Sequence, residues 1–165
     1  MIEALLKPFS EIVTMPPQQW HPFLVHFPVA FLVTEAALLG WWRITRKAEC
    51  ARLSYGFLHA SLWTMLVAAC AGVHDVGLDL GSGNPFWLGL QDRWANAFRW
   101  QSSVTVHSTL MLGLAALTAA RLLWRKLSGP EALRGAQGWA FCLATLLGLW
   151  VLIAAAYVGA LLSHK

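Results

Sequence analysis

Four stretches of this chain carry almost no charge over a length that matches the hydrocarbon core of a bilayer, and this constrains the fold more than any other feature. No Asp, Glu, Lys or Arg occurs from Leu53 to Val73, from Val104 to Ala120 or from Gly138 to Ser163. A run of about 18 or more apolar residues at helical rise spans a membrane. Four such spans can be drawn, at about 22–42, 53–75, 103–124 and 138–162. The interior of the first holds an acid, Glu35. A soluble four-helix bundle would show a polar stripe at every third or fourth position, and Ala140 to Ala156 shows none. Only 12% of residues are charged, about half the share of a soluble domain. The expected fold is an all-α membrane protein, a single domain over residues 1–165. It is a four-transmembrane-helix up-down bundle whose main partner is the lipid bilayer.

The segments outside the spans set a direction. Residues 1–19 bring Leu5, Leu6, Phe9, Ile12 and Val13 near one helical face, the pattern of a short helix lying on a membrane surface. They lack the basic start and unbroken apolar run of a signal peptide. Residues 76–102 form an outer loop that is long for a helix pair. Its turn-rich start, Gly77 to Pro85, leads into a second interfacial helix from Phe86 to Trp100. Arg43, Arg46, Lys47, Arg52, Arg121, Arg125, Lys126 and Arg134 fall in the connections on the opposite side. The positive-inside rule makes that side cytoplasmic and puts both termini outside. The net charge of +4 follows from this topology, so nucleic acid is not an expected partner. Tryptophans cluster at both boundaries as an aromatic belt, while Trp63 and Trp150 fall at membrane depth and are expected to pack between helices. Cys50, Cys70 and Cys142 have no metal-type spacing and read as small packing residues. The four spans show no internal repeat, which argues against a solute carrier.

The histidines carry the functional signal. His26 lies just inside the outer end of helix one with His21 before it, His74 ends helix two on the same side, and His107 begins helix three there. His164 lies on the outer tail. Alternating helix directions bring four of these to one depth, where ionisable side chains are costly and face the bundle interior or a cavity. A haem takes two axial imidazoles from opposing helices, and a bundle interior is a common place for one. A small metal ion would want three or four histidines converging on one point. Helices one and three are diagonal, so His26 and His107 are the expected axial ligands, with His74 and His21 as alternates. Asp75 is expected to accept the outer N–H of a ligating imidazole. His59 and His74 are spaced for a second haem, but His59 has no histidine opposite it, which favours one haem b. Glu35 and His59 lie at one depth on adjacent helices and are expected to pair, as a structural bond or as a proton-accepting site beside a quinone. Pro28 withholds the N–H that the Leu24 carbonyl would use and so kinks helix one beside His26.

The segment His21-Pro-Phe-Leu-Val-His-Phe-Pro-Val-Ala30 resembles the opening signature of the small bacterial membrane proteins grouped as DUF2231. Gly72-Val-His-Asp75 is similar to the family's Gly-x-x-Asp at the end of helix two, and Val106-His-Ser-Thr-Leu110 to its His-x-x-Leu at the start of helix three. The asparagine that usually follows the latter and the family's Gly-Gly-Glu-Leu stretch in helix four are missing here. The resemblance implies that His21, His26, Asp75 and His107 belong to a shared pattern, and a haem-bearing redox role is suspected for such proteins. It also implies a bacterial inner membrane, which would make the outer side periplasmic. Together these readings lead to an electron-transfer subunit, not a stand-alone enzyme, working between quinone and a periplasmic c-type cytochrome or a larger redox complex. The competing expectation is a cofactor-free structural or assembly subunit.

Overall fold

The computed structural model describes Pro16, residues 20–96 and residues 103–163. The expected surface helix of residues 1–19 and His164 lie outside the described residues. Helices α1 (Trp20–Leu24) and α2 (His26–Thr45) form the first span, and α3 (Ala48–Asp79) forms the second. After the outer-loop helix α4 (Pro85–Asn96), α5 (Ser103–Ser128) forms the third span and α6 (Gly135–Ser163) the fourth, joined by a 3-10 turn at Gly129–Leu133. All four are long and apolar enough to cross a membrane, and every described element is helical.

Local chemistry explains the breaks. Pro28 offers no N–H to the Leu24 carbonyl, and the first span is interrupted at Val25, where α1 passes into α2. Arg46 closes α2 in the left-handed conformation (φ 58°), its N–H donating to the Trp42 carbonyl at 2.8 Å. Lys47 is extended, and α3 starts at once at Ala48. That helix runs on to Asp79, so the outer connection is shorter than the sequence implied. Of its expected second helix the described residues, to Asn96, are helical, and α4 packs on the outer end of α3. The approach is close enough that a methyl group on Gly77 would strike the Pro85 carbonyl, and one on Gly89 the Val73 carbonyl.

The spans pack as a ring, α2 on α3, α3 on α5, α5 on α6 and α6 back on α2, which leaves the first and third spans diagonal. The outside of the ring is apolar: Val33, Leu66, Val67, Leu112, Leu143, Leu146 and Ile153 are exposed. In water such a surface would be sticky; in a bilayer it is the lipid contact. Trp63 and Trp150 belong to it, at 67% and 70% exposure, and so do not pack between helices as expected.

The two halves of the bundle repeat one another, contrary to the sequence reading. Pro28, Leu32 and Glu35 are buried in α2, and Leu114, Thr118 and Arg121 are buried at the same step in α5. Ser54, Leu58, Ser61, Met65 and Ala68 are buried in α3, matched in α6 by Phe141, Thr145, Gly148, Leu152 and Ala155. The residue types differ at most of these positions, which hides the repeat, but the burial register is common. Parallel repeats of this kind are related by an axis along the membrane normal.

Candidate functional site

At the outer end, where α1 and α5 begin, the structure brings His21 to His107 across the diagonal. Their ring centres are 6.4 Å apart and the rings are perpendicular, at 89°. Each ring is held by the span next to its own. His21 Nδ1 lies 2.7 Å from the Ala68 carbonyl of α3, and His107 Nδ1 lies 2.9 Å from the Ala155 carbonyl of α6. A carbonyl can only accept, so Nδ1 carries the proton in both rings. Nε2 is then a bare acceptor in the neutral imidazole, with no hydrogen-bond partner among the described residues.

The seats are repeats as well. Ala68-Ala-Cys-Ala-Gly72 and Ala155-Ala-Tyr-Val-Gly159 each present a carbonyl and, one turn on, a glycine beneath the ring. A Cβ on Gly72 would stand 2.8 Å from His21 Nδ1, and one on Gly159 would stand 3.0 Å from His107 Cε1. Only glycine lets the imidazoles lie this close to the neighbouring backbone.

The other expected site residues fall elsewhere. His26 is exposed, and its Nδ1 lies 3.2 Å from the Phe23 carbonyl of its own chain segment. It does not meet His107, because at about 100° per residue His26 and His21 point about 140° apart and only one can face inward. His74 is 41% exposed, with Nδ1 3.9 Å from Asp75 Oδ1. Asp75 does not take the ring N–H of a paired histidine, since the Ala68 and Ala155 carbonyls do. Its carboxylate faces the backbone N–H of His21 and the His74 ring, with Oδ1 buried and without a hydrogen-bond partner among the described residues. Arg93 of α4 is near enough to act on His107 through space. Burial lowers this guanidinium from its ordinary value, and neighbouring Asp92 opposes the shift. No group of three or more His, Cys, Asp or Glu side chains converges on a metal position among the described residues.

A second polar centre lies toward the basic end. Arg121 Nη2 donates to Glu35 Oε1 at 2.7 Å and to Thr145 Oγ1 at 2.6 Å, and Thr145 Oγ1 donates to the Phe141 carbonyl at 2.9 Å. Glu35 and Arg121 are 1% and 2% exposed. The expected Glu35–His59 pair is therefore not formed: Glu35 faces the bundle, while His59 is exposed with Nδ1 3.0 Å from the Tyr55 carbonyl one turn back. Arg121, which the sequence groups with the loop cations, is a core residue. A signal for it existed, since Arg121 follows His107 at the spacing by which Glu35 follows His21. The 86-residue step from Glu35 to Arg121 also relates His21 to His107, so both diagonal contacts join equivalent positions of the two halves.

Residues 17–165 match the family described as predicted membrane protein (DUF2231). The chain belongs to the DUF2231 family. No curated protein and no solved structure matches it. Within this DUF2231 chain, the motif residues His21, Gly72, Asp75 and His107 gather at one end: Gly72 lies beneath the His21 ring, Asp75 faces the His21 N–H, and the His21 and His107 rings meet.

Proposed function

We propose that this DUF2231 protein is a membrane-embedded b-type haem protein in which His21 and His107 hold one iron. In this reading it passes electrons between membrane quinone and a periplasmic partner, a c-type cytochrome or a larger redox complex of which it is a subunit. The observation that supports the reading is the perpendicular approach of the two imidazoles across the diagonal, each with Nδ1 engaged by a backbone carbonyl and Nε2 left as an acceptor. Two acceptors cannot hydrogen-bond each other, so a metal ion between them would give both nitrogens a partner. An ion shared by two imidazoles would lie about 2 Å from each nitrogen, and ring centres 6.4 Å apart are near enough for His21 and His107 to hold one together. His21 replaces His26 as the partner of His107.

The haem would supply a one-electron couple at its iron. The chain's own contribution is positional. The Ala68 and Ala155 carbonyls fix each tautomer and raise the basicity of the opposite nitrogen. Arg93 offers a cation to an acidic edge of the cofactor, and the lipid-facing spans exclude water. Glu35 is engaged by Arg121, so it serves as a structural tie and not as a proton acceptor. The basic end, by the positive-inside rule, faces the cytoplasm of a bacterial inner membrane, with both termini and the histidine pair toward the periplasm.

One observation favours the cofactor-free structural subunit instead. Each histidine already clamps two spans together through its Nδ1 bond. The two readings separate on purification in mild detergent from the native host. About one haem per chain with a sharp b-type reduced-minus-oxidised band, reducible by a quinol, supports electron transfer. A colourless chain isolated with its complex intact leaves the clamp.

A further inference from the structure

The basic end holds a cleft of about 700 Å³ between the two halves. Arg46, Arg52, Arg125, Lys126 and Arg134 line it, with no acid among the lining residues, and Trp42, Tyr55 and Leu133 supply apolar wall. Orienting a bundle in a membrane requires basic residues only somewhere in these connections. It does not require five to converge from both halves on one cavity. Nor does it require Arg125, a half-buried residue of the third span, to take part. Arg125 Nη2 donates to the Ala51 carbonyl at 3.0 Å, while its Nη1 is buried with no hydrogen-bond partner among the described residues. An unused donor of this kind is costly unless something accepts from it.

We propose that this cleft binds the phosphate head of an anionic phospholipid, best one with two phosphates. Three observations select that chemistry. The guanidinium-rich lining suits bidentate phosphate recognition. The volume far exceeds a single phosphate ion. The cleft sits where the spans end, with cations and apolar wall side by side, so a head can meet the charges while acyl chains run along the lipid-facing helices. Basic pockets between transmembrane helices recognise such heads. This inference is independent of the histidine pair.

The test uses the full chain in detergent, with native mass spectrometry reading lipid bound per chain. Cardiolipin is titrated against phosphatidylcholine, and inorganic pyrophosphate serves as competitor. Cardiolipin is expected to saturate at one per chain and phosphatidylcholine to bind far more weakly. Arg52→Gln and Lys126→Gln, both exposed and so tolerable to the fold, should each weaken cardiolipin about fivefold, whereas Lys47→Gln, a cation of the same end outside the lining, should not. Equal binding of the two lipids would overturn the proposal, as would equal loss from Lys47→Gln and Arg52→Gln. Displacement of cardiolipin by pyrophosphate at comparable concentration would overturn the lipid as occupant in favour of a soluble phosphate compound.

Discussion

The two diagonal contacts of this bundle occupy equivalent positions in its repeated halves, yet one closes in a direct bond and the other does not. Glu35 and Arg121 carry opposite charge and close on each other at 2.7 Å, with Thr145 taking a further donor. His21 and His107 are the same residue in the same tautomer, so they present two acceptors to each other at 6.4 Å between ring centres. Unlike residues across a pseudo-two-fold can bond directly, although Glu35 Oε2 and Arg121 Nε are left without a hydrogen-bond partner among the described residues. Like acceptors cannot bond directly, and take a donor or a metal ion from elsewhere. The first contact therefore reads as structure and the second as a site.

The sharpest way to break that distinction is to remove one member of the ion pair. Glu35→Ala or Arg121→Ala leaves an uncompensated charge in the core and should cost about 3–5 kcal/mol, measured by unfolding in detergent. Replacing both together with apolar residues of similar volume should recover most of this loss. A small effect of either single change would mean that the pair is not sealed. Next in size is the glycine seat. Gly72→Ala forces the His21 ring off its carbonyl and should cost about 1–3 kcal/mol by overpacking, with loss of haem in the same preparation, and Gly159→Ala, which crowds the His107 ring less, should cost less. Loss of stability without loss of haem would detach the seat from the site. His21→Ala gives up one hydrogen bond between spans, worth about 1 kcal/mol, so the chain should stay folded while its haem is lost. The smallest effect is expected at His59 and His26. As exposed residues bonded within their own helical segment, each should change stability by no more than about 0.5 kcal/mol on substitution by Ala.

Much of the architecture was legible because a bilayer demands it. Uninterrupted uncharged helices admit few other solutions, and the spans appear in the structure with ends extended by a few residues. What stayed hidden depended on direction and reach. Depth along a helix can be counted from its end, so the level of the histidines was readable, but the choice between His21 and His26 depends on rotation about the axis. Arg121 was misplaced because it begins a basic run at a helix end, and nothing in composition tells a snorkelling arginine from one turned inward to a carboxylate. Asp75 was correctly drawn to the histidine end but assigned the wrong donor, since backbone carbonyls exposed by small residues are invisible to a reading of side chains. The repeat was missed for the same reason: it is preserved in burial and spacing more than in residue type, and Ala68 with Ala155 and Gly72 with Gly159 are among its few identities.

The claim at the centre of this account is that His21 and His107 share one iron and His26 takes no part. The most direct test is the reduced-minus-oxidised visible spectrum, with haem per chain, of His21→Ala, His107→Ala and His26→Ala prepared side by side with the unsubstituted protein. The account predicts a b-type band in the unsubstituted chain and in His26→Ala, and its loss in the other two. A band that survives His21→Ala and disappears in His26→Ala, or no band in any of the four, would contradict it.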